Sequence, residues 1–296
     1  MDTGPAPDPL DPPFLVAVPQ AETAPVVFAS PHSGDVYPAE FVSRTRLDAL
    51  SLRRSEDAFI DMLFEAAPGL GMPLIKARFP RAYVDANRGP WELDPGMFAD
   101  RLPPYVDQSS PRAAAGLGTI ARIVSDGAEI YRDKLRFAEA KQRIETLYMP
   151  YHARLSDLLD DAHARWTRCL LVDCHSMPSG ATPGIVAGRP DFVLGDCHGS
   201  SCMAAITDLA ERTLRTLGYA VARNDPYAGG FTTRHHGRPA QGRHALQIEV
   251  NRGLYMNEAR LEPRPYFATL AAHMARLIAV LRDLMAAPAR SDAATP

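Results

Sequence analysis

Two histidines and a glutamate occur at or near the ends of apolar, strand-like runs that lie far apart in the sequence. His32 follows the run 26–30, His175 follows the run 170–173, and Glu249 lies inside the run 245–250. In α/β proteins the carboxyl ends of parallel strands meet at one edge of the sheet, and active sites gather there. Two histidines and carboxylates that converge at such an edge are typical of a catalytic zinc site with an open coordination position.

The third ligand of such a site should be a carboxylate, and the residues offer three candidates. Asp35 lies three residues after His32, while Glu56 and Asp57 fall on a predicted helix. Glu56 and Asp57 are equally consistent with a solvated turn of that helix. The residues by themselves therefore leave the acid ligand open between these three positions.

Glu249 is the acid with the clearest chemical implication, because it interrupts a strand that is otherwise apolar. A buried carboxylate costs several kcal/mol unless it is paired or used. Desolvation should raise its pKa, and a raised pKa suits a general base that works near neutral pH. The alternative is a structural salt bridge with an arginine such as Arg252.

Several arginines stand in the same segments and indicate an anionic substrate, since arginine binds carboxylates in a bidentate way. Arg234 lies in the glycine-containing segment 229–237, which is predicted to be a flap over the substrate or a hairpin with solvated charges. His244 is a candidate for orienting Glu249 or contacting substrate. The adjacent His235 and His236 are a weak metal signal, because neighbours on a strand point to opposite faces.

Periodicity and turn residues predict strands that alternate with helices, which indicates a mostly parallel sheet covered on both faces. The predicted strands are 26–30, 74–77, 83–86, 170–173, 192–194, 219–223 and 245–250. The predicted helices are 44–67, 120–130, 134–166 with an interruption at Pro150, a helix capped by Ser200 or Ser201 that ends near 217, and 263–285. Long loops are expected at 87–118 and 224–241.

Composition limits the class of protein. The chain has 296 residues, of which 46% are hydrophobic and 23% are charged, and a net charge of −3, so strong attraction to nucleic acid is not expected. The sequence contains no run of 18 apolar residues, so no membrane span is predicted. The predicted organisation is a flexible lead-in at 1–20, a single catalytic domain at 21–287 and a flexible tail at 288–296.

Five short motifs, in this order, resemble those of the N-formylglutamate amidohydrolase family. Each motif is weak alone, but the ordered set is specific and spans almost the whole chain. The motifs are Ser-Pro-His-Ser-Gly at 30–34, Tyr-Val-Asp-Ala-Asn-Arg at 83–88, Asp-Cys-His-Ser-Met-Pro at 173–178, Asn-Asp-Pro-Tyr-Ala-Gly-Gly-Phe at 224–231 and His-Ala-Leu-Gln-Ile-Glu-Val-Asn-Arg-Gly-Leu-Tyr-Met at 244–256.

The resemblance implies a three-layer α/β/α fold with a mostly parallel mixed sheet, which is phosphorylase/hydrolase-like and similar to zinc exopeptidases. It implies Zn²⁺ or another divalent metal, with Asp57 preferred over Asp35 as the acid ligand. The roles that it implies are metal ligation by His32, Asp57 and His175, catalysis by Glu249 and Arg88, and substrate binding by Arg81, with Arg234, Arg252 and His244 as further candidates. The run Ser-Glu-Asp-Ala at 55–58 departs from the Thr-Asp-Trp that members of the histidine pathway tend to have, which leaves the exact substrate open.

The implied reaction is metal-dependent hydrolysis of the formyl amide of N-formyl-L-glutamate to formate and L-glutamate, with Glu249 transferring the proton of the attacking water to the leaving amine. We expect a cytoplasmic enzyme of histidine degradation that is a monomer or small homo-oligomer. Its partner is a small anionic N-acyl amino acid, and neither nucleic acid nor a membrane is expected. The alternatives are a hydrolase of another N-acyl amino acid or small peptide, and a non-catalytic binder of acidic metabolites. A small, closed pocket near Arg234 would favour the formyl substrate.

Overall fold

Seven strands form one mixed sheet in the computed structural model, which describes residues 8–180 and 190–288. The strands are β1 (Phe14–Ala17), β2 (Val26–Ser30), β3 (Leu74–Ala77), β4 (Cys169–Met177), β5 (Phe192–Gly195), β6 (Val221–Arg223) and β7 (Arg243–Asn251), and a separate two-stranded sheet contains β8 (Met256–Asn257) and β9 (Glu262–Pro263). The spatial order in the large sheet is β1-β3-β2-β4-β7-β5-β6. The prediction of a mostly parallel mixed α/β sheet is therefore confirmed.

The four strands at the centre of the sheet, β3, β2, β4 and β7, run parallel to one another. Strand β1 is antiparallel to β3, and β5 is antiparallel to β7 while pairing in parallel with β6. β4 and β7 are nine residues long and almost wholly buried. Strands that are covered on both faces need such near-continuous apolar sequences. The parallel centre brings the carboxyl ends of β2, β4 and β7 to one edge of the sheet.

Helices pack against the sheet and enclose two apolar cores. The helices are α1 (Ala39–Arg44), α2 (Ala49–Leu52), α3 (Ile60–Leu63), α4 (Ala66–Gly69), α5 (Pro111–Ala114), α6 (Phe137–Arg143), α7 (Met149–Trp166), α8 (Ala204–Thr216), α9 (Phe231–His236), α10 (Arg252–Tyr255) and α11 (Phe267–Ala286). Val27 of β2 packs into one core with Leu155 of α7. Phe28, the next residue, packs into the other core with Leu277 of α11. Because successive side chains of a strand point to opposite faces, these cores lie on opposite sides of the sheet. The further likeness to zinc exopeptidases stays a prediction.

The predicted helix 44–67 is wrong as one continuous element. The segment forms α2, a 3₁₀ turn at Arg53–Ser55, and then α3 and the start of α4, with Glu56 in an extended conformation between the turn and α3. The backbone N–H of Asp57 donates a 3.0 Å hydrogen bond to the carbonyl of His32 instead of to a helical carbonyl. Phe59 has a φ of 67°, which no α-helix contains. The tertiary contacts of Glu56 and Asp57 therefore override the helical spacing of the apolar residues in this segment.

Two further predictions fail in the segment that connects β3 to α6. Residues 83–86 form turns rather than a strand, and residues 120–130 form turns and isolated bridges rather than a helix. Their apolar residues, among them Val84, Ile120, Val124 and Ile130, are buried in the core shared with α7. The apolar residues of this irregular segment are spaced along the sequence as they would be in a strand or a helix, because they are buried in the same core.

Three other segments can be compared with the sequence-based expectation. The predicted helix 134–166 begins at Phe137 and is interrupted, as expected near Pro150, by a π-helical turn at Ile144–Tyr148 that precedes α7. Helix α8 begins at Ala204 without a side-chain cap from Ser200 or Ser201. Helix α9 lies within the predicted loop 224–241.

The sequence predicts no strand or helix before residue 26 and a flexible lead-in at 1–20. In the structure, β1 lies inside that segment. Residues 289–296 of the predicted tail lie outside the described residues, and the limits of the predicted catalytic domain stay a prediction. Across the described ranges, no helix combines the length and the apolar character that crossing a bilayer requires.

Candidate active site

Three buried side chains converge at the carboxyl edge of the central strands. His32 follows β2, His175 lies near the end of β4, and Asp57 projects from the extended segment before α3. One ligand atom from each of the three lies within 4.8 Å of the others. Asp57 Oδ2 is 3.3 Å from Nδ1 of His32 and 3.0 Å from Nδ1 of His175. The two histidines therefore turn the same ring nitrogen toward one carboxylate oxygen.

The other nitrogen of each ring has a different environment in the two histidines. His32 Nε2 forms a 2.7 Å hydrogen bond with Asp85 Oδ1, whereas His175 Nε2 lies 3.1 Å from Asn87 Nδ2 and at ion-pair distance, 3.0 Å, from Asp173 Oδ1. Metal-binding histidines characteristically donate their second N–H to a carboxylate, as the His32–Asp85 pair allows, which fixes the ring and its tautomer. His32 Nδ1 is buried and has no hydrogen-bond partner within the described structure. A buried nitrogen without a donor or acceptor is what a metal ligand would look like, so these residues fit a divalent ion.

Asp57 and His175 hold each other ionised despite their burial. Burial alone would raise the pKa of Asp57, but His175 and His32 outweigh it and hold the pKa well below the usual value. Burial would lower the pKa of His175, but Asp173 and Asp57 hold it well above 6.5. The proton on His175 therefore balances part of the charge of the carboxylates. A divalent cation would take over that role.

Arg252 and Ser176 fix the second oxygen of Asp57. Asp57 Oδ1 accepts a 2.9 Å hydrogen bond from Ser176 Oγ and a 3.1 Å bond from Arg252 Nη2. Arg252 also donates from Nε to Ser176 Oγ at 2.9 Å and from Nη1 to the Arg54 carbonyl at 3.0 Å. The guanidinium, which is buried, is therefore engaged on every side with protein groups. Arg252 thereby fixes the position of the Asp57 carboxylate.

Glu249 is the remaining acid of the site and lies directly across the strand pair from His175. Only 7% of Glu249 is exposed, and burial raises its pKa to about 7. Its carboxylate accepts a 2.9 Å hydrogen bond from Nε2 of Gln247, two residues earlier on β7. A carboxylate with a pKa close to neutrality can gain and lose a proton under ordinary conditions, as a general base must.

A cavity of about 520 Å³ opens onto these groups. His32, His175 and Glu249 line its floor, while the irregular segments and the turn before α9 contribute its walls. The cationic side chains that line it are Arg81, Arg88, Arg112, Arg234 and Arg252. Among the charged side chains that line the cavity, the cationic ones thus outnumber the acidic ones.

The arginines differ in how much of each guanidinium is free. Arg88 is buried and donates to the carbonyls of Leu117 and Asn87, and burial lowers its pKa to about 10. Arg81 uses Nε to bind Asp85 at 3.0 Å and keeps a quarter of its side chain exposed. Arg234 is exposed and donates from Nη1 to the Gly229 carbonyl.

Arg112 on α5 is exposed, and its guanidinium makes no hydrogen bond or ion pair within residues 8–180 and 190–288. Arg81, Arg112 and Arg234 are therefore the guanidiniums with N–H groups left for an anion. A single arginine on a proline-led turn carries no sequence signal of its own, so only its position on the wall of the cavity identifies it.

Three residues that the sequence offered for this site lie elsewhere. Asp35 is exposed and faces a different cavity, lined by residues such as Lys76. Glu56 turns away from the histidines and binds Arg53 and the Tyr37 hydroxyl, the latter at 2.6 Å. His244 lies at the start of β7, five residues before Glu249 and thus about 16 Å away along the strand. The structure therefore groups Asp57, and neither of the other two acids, with the histidines.

Asp85, Asp173 and Gln247 contact the site directly and were not assigned roles from the sequence. A signal for two of them was present, because Asp173 precedes His175 by two residues and Gln247 precedes Glu249 by two. Side chains two apart on a strand share a face. That rule places each beside a residue already proposed for the chemistry.

Comparison with known proteins gives consistent matches over most of the chain. The family model described as N-formylglutamate amidohydrolase matches residues 24–256. The chain is 31% identical to an N-formylglutamate deformylase of Pseudomonas aeruginosa, over 88% of this chain and 91% of that protein. It is 29% identical to an N-formylglutamate deformylase of Pseudomonas putida, over 83% of this chain and 86% of that protein.

A solved structure agrees with these matches. The N-formylglutamate amidohydrolase from Ralstonia eutropha JMP134 superposes with a TM-score of 0.88 at 39% sequence identity, covering 92% of this chain and 98% of that chain. The family resemblance stated from the five motifs is thereby confirmed. The chain belongs to the N-formylglutamate amidohydrolase family.

Proposed function

We propose that this protein is a metal-dependent amidohydrolase that cleaves the formyl amide of N-formyl-L-glutamate to formate and L-glutamate. The observation that carries the proposal is the buried cluster of His32, Asp57 and His175 with Glu249 beside it in a cationic cavity. The names of the relatives supply the substrate, and the cavity supplies a chemical reason for an anionic one. A protein that only binds its ligand would have no use for a near-neutral base next to a metal site.

The donor set supports zinc and remains compatible with other divalent ions. Two imidazoles and one carboxylate suit zinc, cobalt, manganese and iron, so metal supply as well as affinity decides which ion is bound. When bound, such an ion polarises a carbonyl and makes water acidic enough to lose a proton near neutral pH. Asp85 would keep the imidazole of His32 in the tautomer that leaves its Nδ1 available.

Glu249 carries the proton in the proposed reaction. Its carboxylate accepts a proton from the attacking water as the water oxygen forms a bond to the formyl carbon. The same carboxyl group then donates that proton to the amide nitrogen as the carbon–nitrogen bond breaks. Formate and the free amine of glutamate leave, and the base returns to its starting state.

The free guanidiniums account for recognition of a dicarboxylate. Arg81 and Arg234 each use only part of their guanidinium to bind other described residues, and the guanidinium of Arg112 binds none of them. Arginine binds carboxylates with two parallel hydrogen bonds, which gives orientation as well as affinity. The α-carboxylate and the side-chain carboxylate of the substrate would engage this set. Arg88, whose donors face backbone carbonyls, would contribute charge to the cavity.

Three finer expectations, which the family resemblance implies, remain part of the proposal. These are zinc as the native metal, action in the cytoplasm during histidine degradation, and a monomer or small homo-oligomer.

The direct test is release of formate from N-formyl-L-glutamate by purified protein, before and after treatment with a chelator and after return of zinc. Release that the chelator abolishes and zinc restores is the expected result. N-acetyl-L-glutamate, N-formyl-L-glutamine and N-formyl-L-leucine serve as comparison substrates. If the protein binds metal stoichiometrically and hydrolyses one of these compounds but not N-formyl-L-glutamate, the proposed substrate is wrong and that compound takes its place. Metal binding with no hydrolysis of any of them would favour a binder of acidic metabolites.

A further inference from the structure

Gln247 and Glu249 lie on the same face of β7, because they are two residues apart on one strand. Both line the cavity of the active site, and only 3% of Gln247 is exposed. A buried carboxamide has four hydrogen-bonding positions and is costly to leave unpaired. The partners of Gln247 therefore show what its burial achieves.

The orientation of the Gln247 carboxamide is fixed by a backbone group. Gly230 N–H donates a 2.9 Å hydrogen bond to Gln247 Oε1, and a backbone N–H can only donate. The oxygen must therefore point to Gly230, and the NH₂ group must point to Glu249 Oε1, 2.9 Å away. The alternative, with the amide rotated by half a turn, would set N–H against N–H and oxygen against carboxylate.

The Gly230 backbone can approach the Gln247 carboxamide only because position 230 is glycine. A Cβ at that position would overlap the carboxamide of Asn87. Asn87 Oδ1 in turn accepts a 2.9 Å hydrogen bond from the Thr232 backbone. The turn before α9 is thus seated between two carboxamides, one from the irregular segment and one from β7.

The carboxylate of Glu249 has few other restraints. Within the described residues, no lysine, arginine or histidine lies within salt-bridge distance of it, and Gln247 supplies its one protein hydrogen bond. The orientation of the base is therefore set by a neutral donor, which leaves its charge uncompensated by a direct partner. This combination holds Oε1 toward Gln247 and leaves the other oxygen for water.

We propose that Gln247 is a positioning residue that orients Glu249 for proton transfer, and that the Gly230 backbone sets the direction of its amide. The proposal rests on the function proposed above only in so far as Glu249 is the base. It links the turn at 224–230, which borders the cavity, to the group that moves the proton.

The first experiment replaces Gln247 by leucine, which keeps the volume and removes the donor. We expect kcat for N-formyl-L-glutamate to fall about 100-fold, the scale of a misplacement of a reacting group, with KM and bound metal nearly unchanged. Ser201→Ala is the control, because it removes a buried side-chain donor that binds the Ala245 carbonyl of the same strand at 2.9 Å and does not line the cavity. Both variants should lose thermal stability, but kcat should fall strongly only in the first. Equal losses of kcat would overturn the proposal.

A double-mutant cycle separates positioning from general damage. In the Glu249→Gln background, Gln247→Leu should cause no further loss of the residual rate, since the group that it orients is already gone. The same fold-reduction in both backgrounds would contradict the proposal.

A crystal structure of metal-loaded Gln247→Leu supplies a readout that does not need turnover. The expected result is a Glu249 carboxylate that is rotated or occupies more than one orientation. An unchanged, single orientation would overturn the proposal even if the wild-type protein released no formate. Absence of formate release by the wild type would, by contrast, contradict the proposed function alone.

Discussion

Glu249 stands opposite His175 in the parallel register of β4 and β7. Neighbouring strands in a sheet are about 4.8 Å apart, so the proposed base and one proposed metal ligand are held by the same ladder of backbone hydrogen bonds. Neither residue depends on a loop for its position. The relative placement of these two groups is therefore built into the core of the protein and forms as the sheet forms.

Substitution of Glu249 by glutamine should separate metal binding from turnover. Glutamine keeps the shape of the side chain but cannot accept the proton, and general base catalysis contributes about 10²- to 10⁴-fold to rates. We expect kcat to fall within that range while bound metal, measured by elemental analysis, stays close to the wild-type stoichiometry. Retained activity in this variant would remove Glu249 from the role of base.

The pH dependence of kcat/KM should show an acidic limb that belongs to Glu249. Burial raises the pKa of this carboxyl to about 7, so its basic form predominates above that pH and is lost below it. The rate should therefore fall about tenfold for each pH unit below the midpoint. A bound cation favours the carboxylate form and would move the midpoint lower. Rates measured between about pH 5 and pH 9 test this, and a profile that stays flat on the acidic side would refute it.

Substitution of Arg252 by lysine should weaken metal binding more than substrate binding. Arg252 donates to Asp57, Ser176 and the Arg54 carbonyl, and lysine cannot reproduce that fork. Loss of such an outer partner typically costs about 10- to 100-fold in metal affinity. Zinc affinity measured by competition with a chelating dye is the readout, and KM at saturating zinc should change little. A higher KM with unchanged zinc affinity would support the substrate-binding role that the sequence suggested.

Removal of the free guanidiniums should act on the substrate. Arg112→Ala and Arg234→Ala should each raise KM for N-formyl-L-glutamate about tenfold or more, the effect of losing a charge-assisted hydrogen bond of about 1.5–3 kcal/mol. N-formyl-L-leucine, which lacks the second carboxylate, should be affected less by at least one of the two. Arg264→Ala is a suitable control, because its guanidinium binds the Gly253 carbonyl on the surface and does not line the cavity. Equal effects on both substrates would argue against recognition of the side-chain carboxylate.

The sequence predicted the parts of the site that belong to the sheet. His32, His175 and Glu249 could be found because each stands at or near the end of an apolar run, and parallel strands bring such ends together. The strands 74–77 and 26–30 agree with the structure for the same reason. Where the local sequence pattern and burial in the core favour the same backbone conformation, that conformation can be predicted from the sequence alone.

The parts that failed are those in which side-chain contacts decide the backbone. Asp57 was placed on a helix, but its carboxylate is bound by two histidines, a serine and an arginine, and its backbone follows. The partner of Arg252 could not be predicted either, because a lone arginine in a sequence gives no sign of what it binds. In the structure its Nη2 donates to Asp57 Oδ1 at 3.1 Å. The role of Arg252 in substrate binding stays a prediction.

The groups that we propose for the chemistry and those that we propose for substrate binding belong to different kinds of structure. His175 and Glu249 lie on central strands, whereas Arg112 and Arg234 lie on short helices, α5 and α9, within long connecting segments. Connecting segments tolerate change far better than a buried sheet does. A chain built in this way can acquire a new preference among acylated amino acids through its surface while its reaction centre is inherited intact. The same division makes the segments 87–118 and 224–241 the natural targets for redesign.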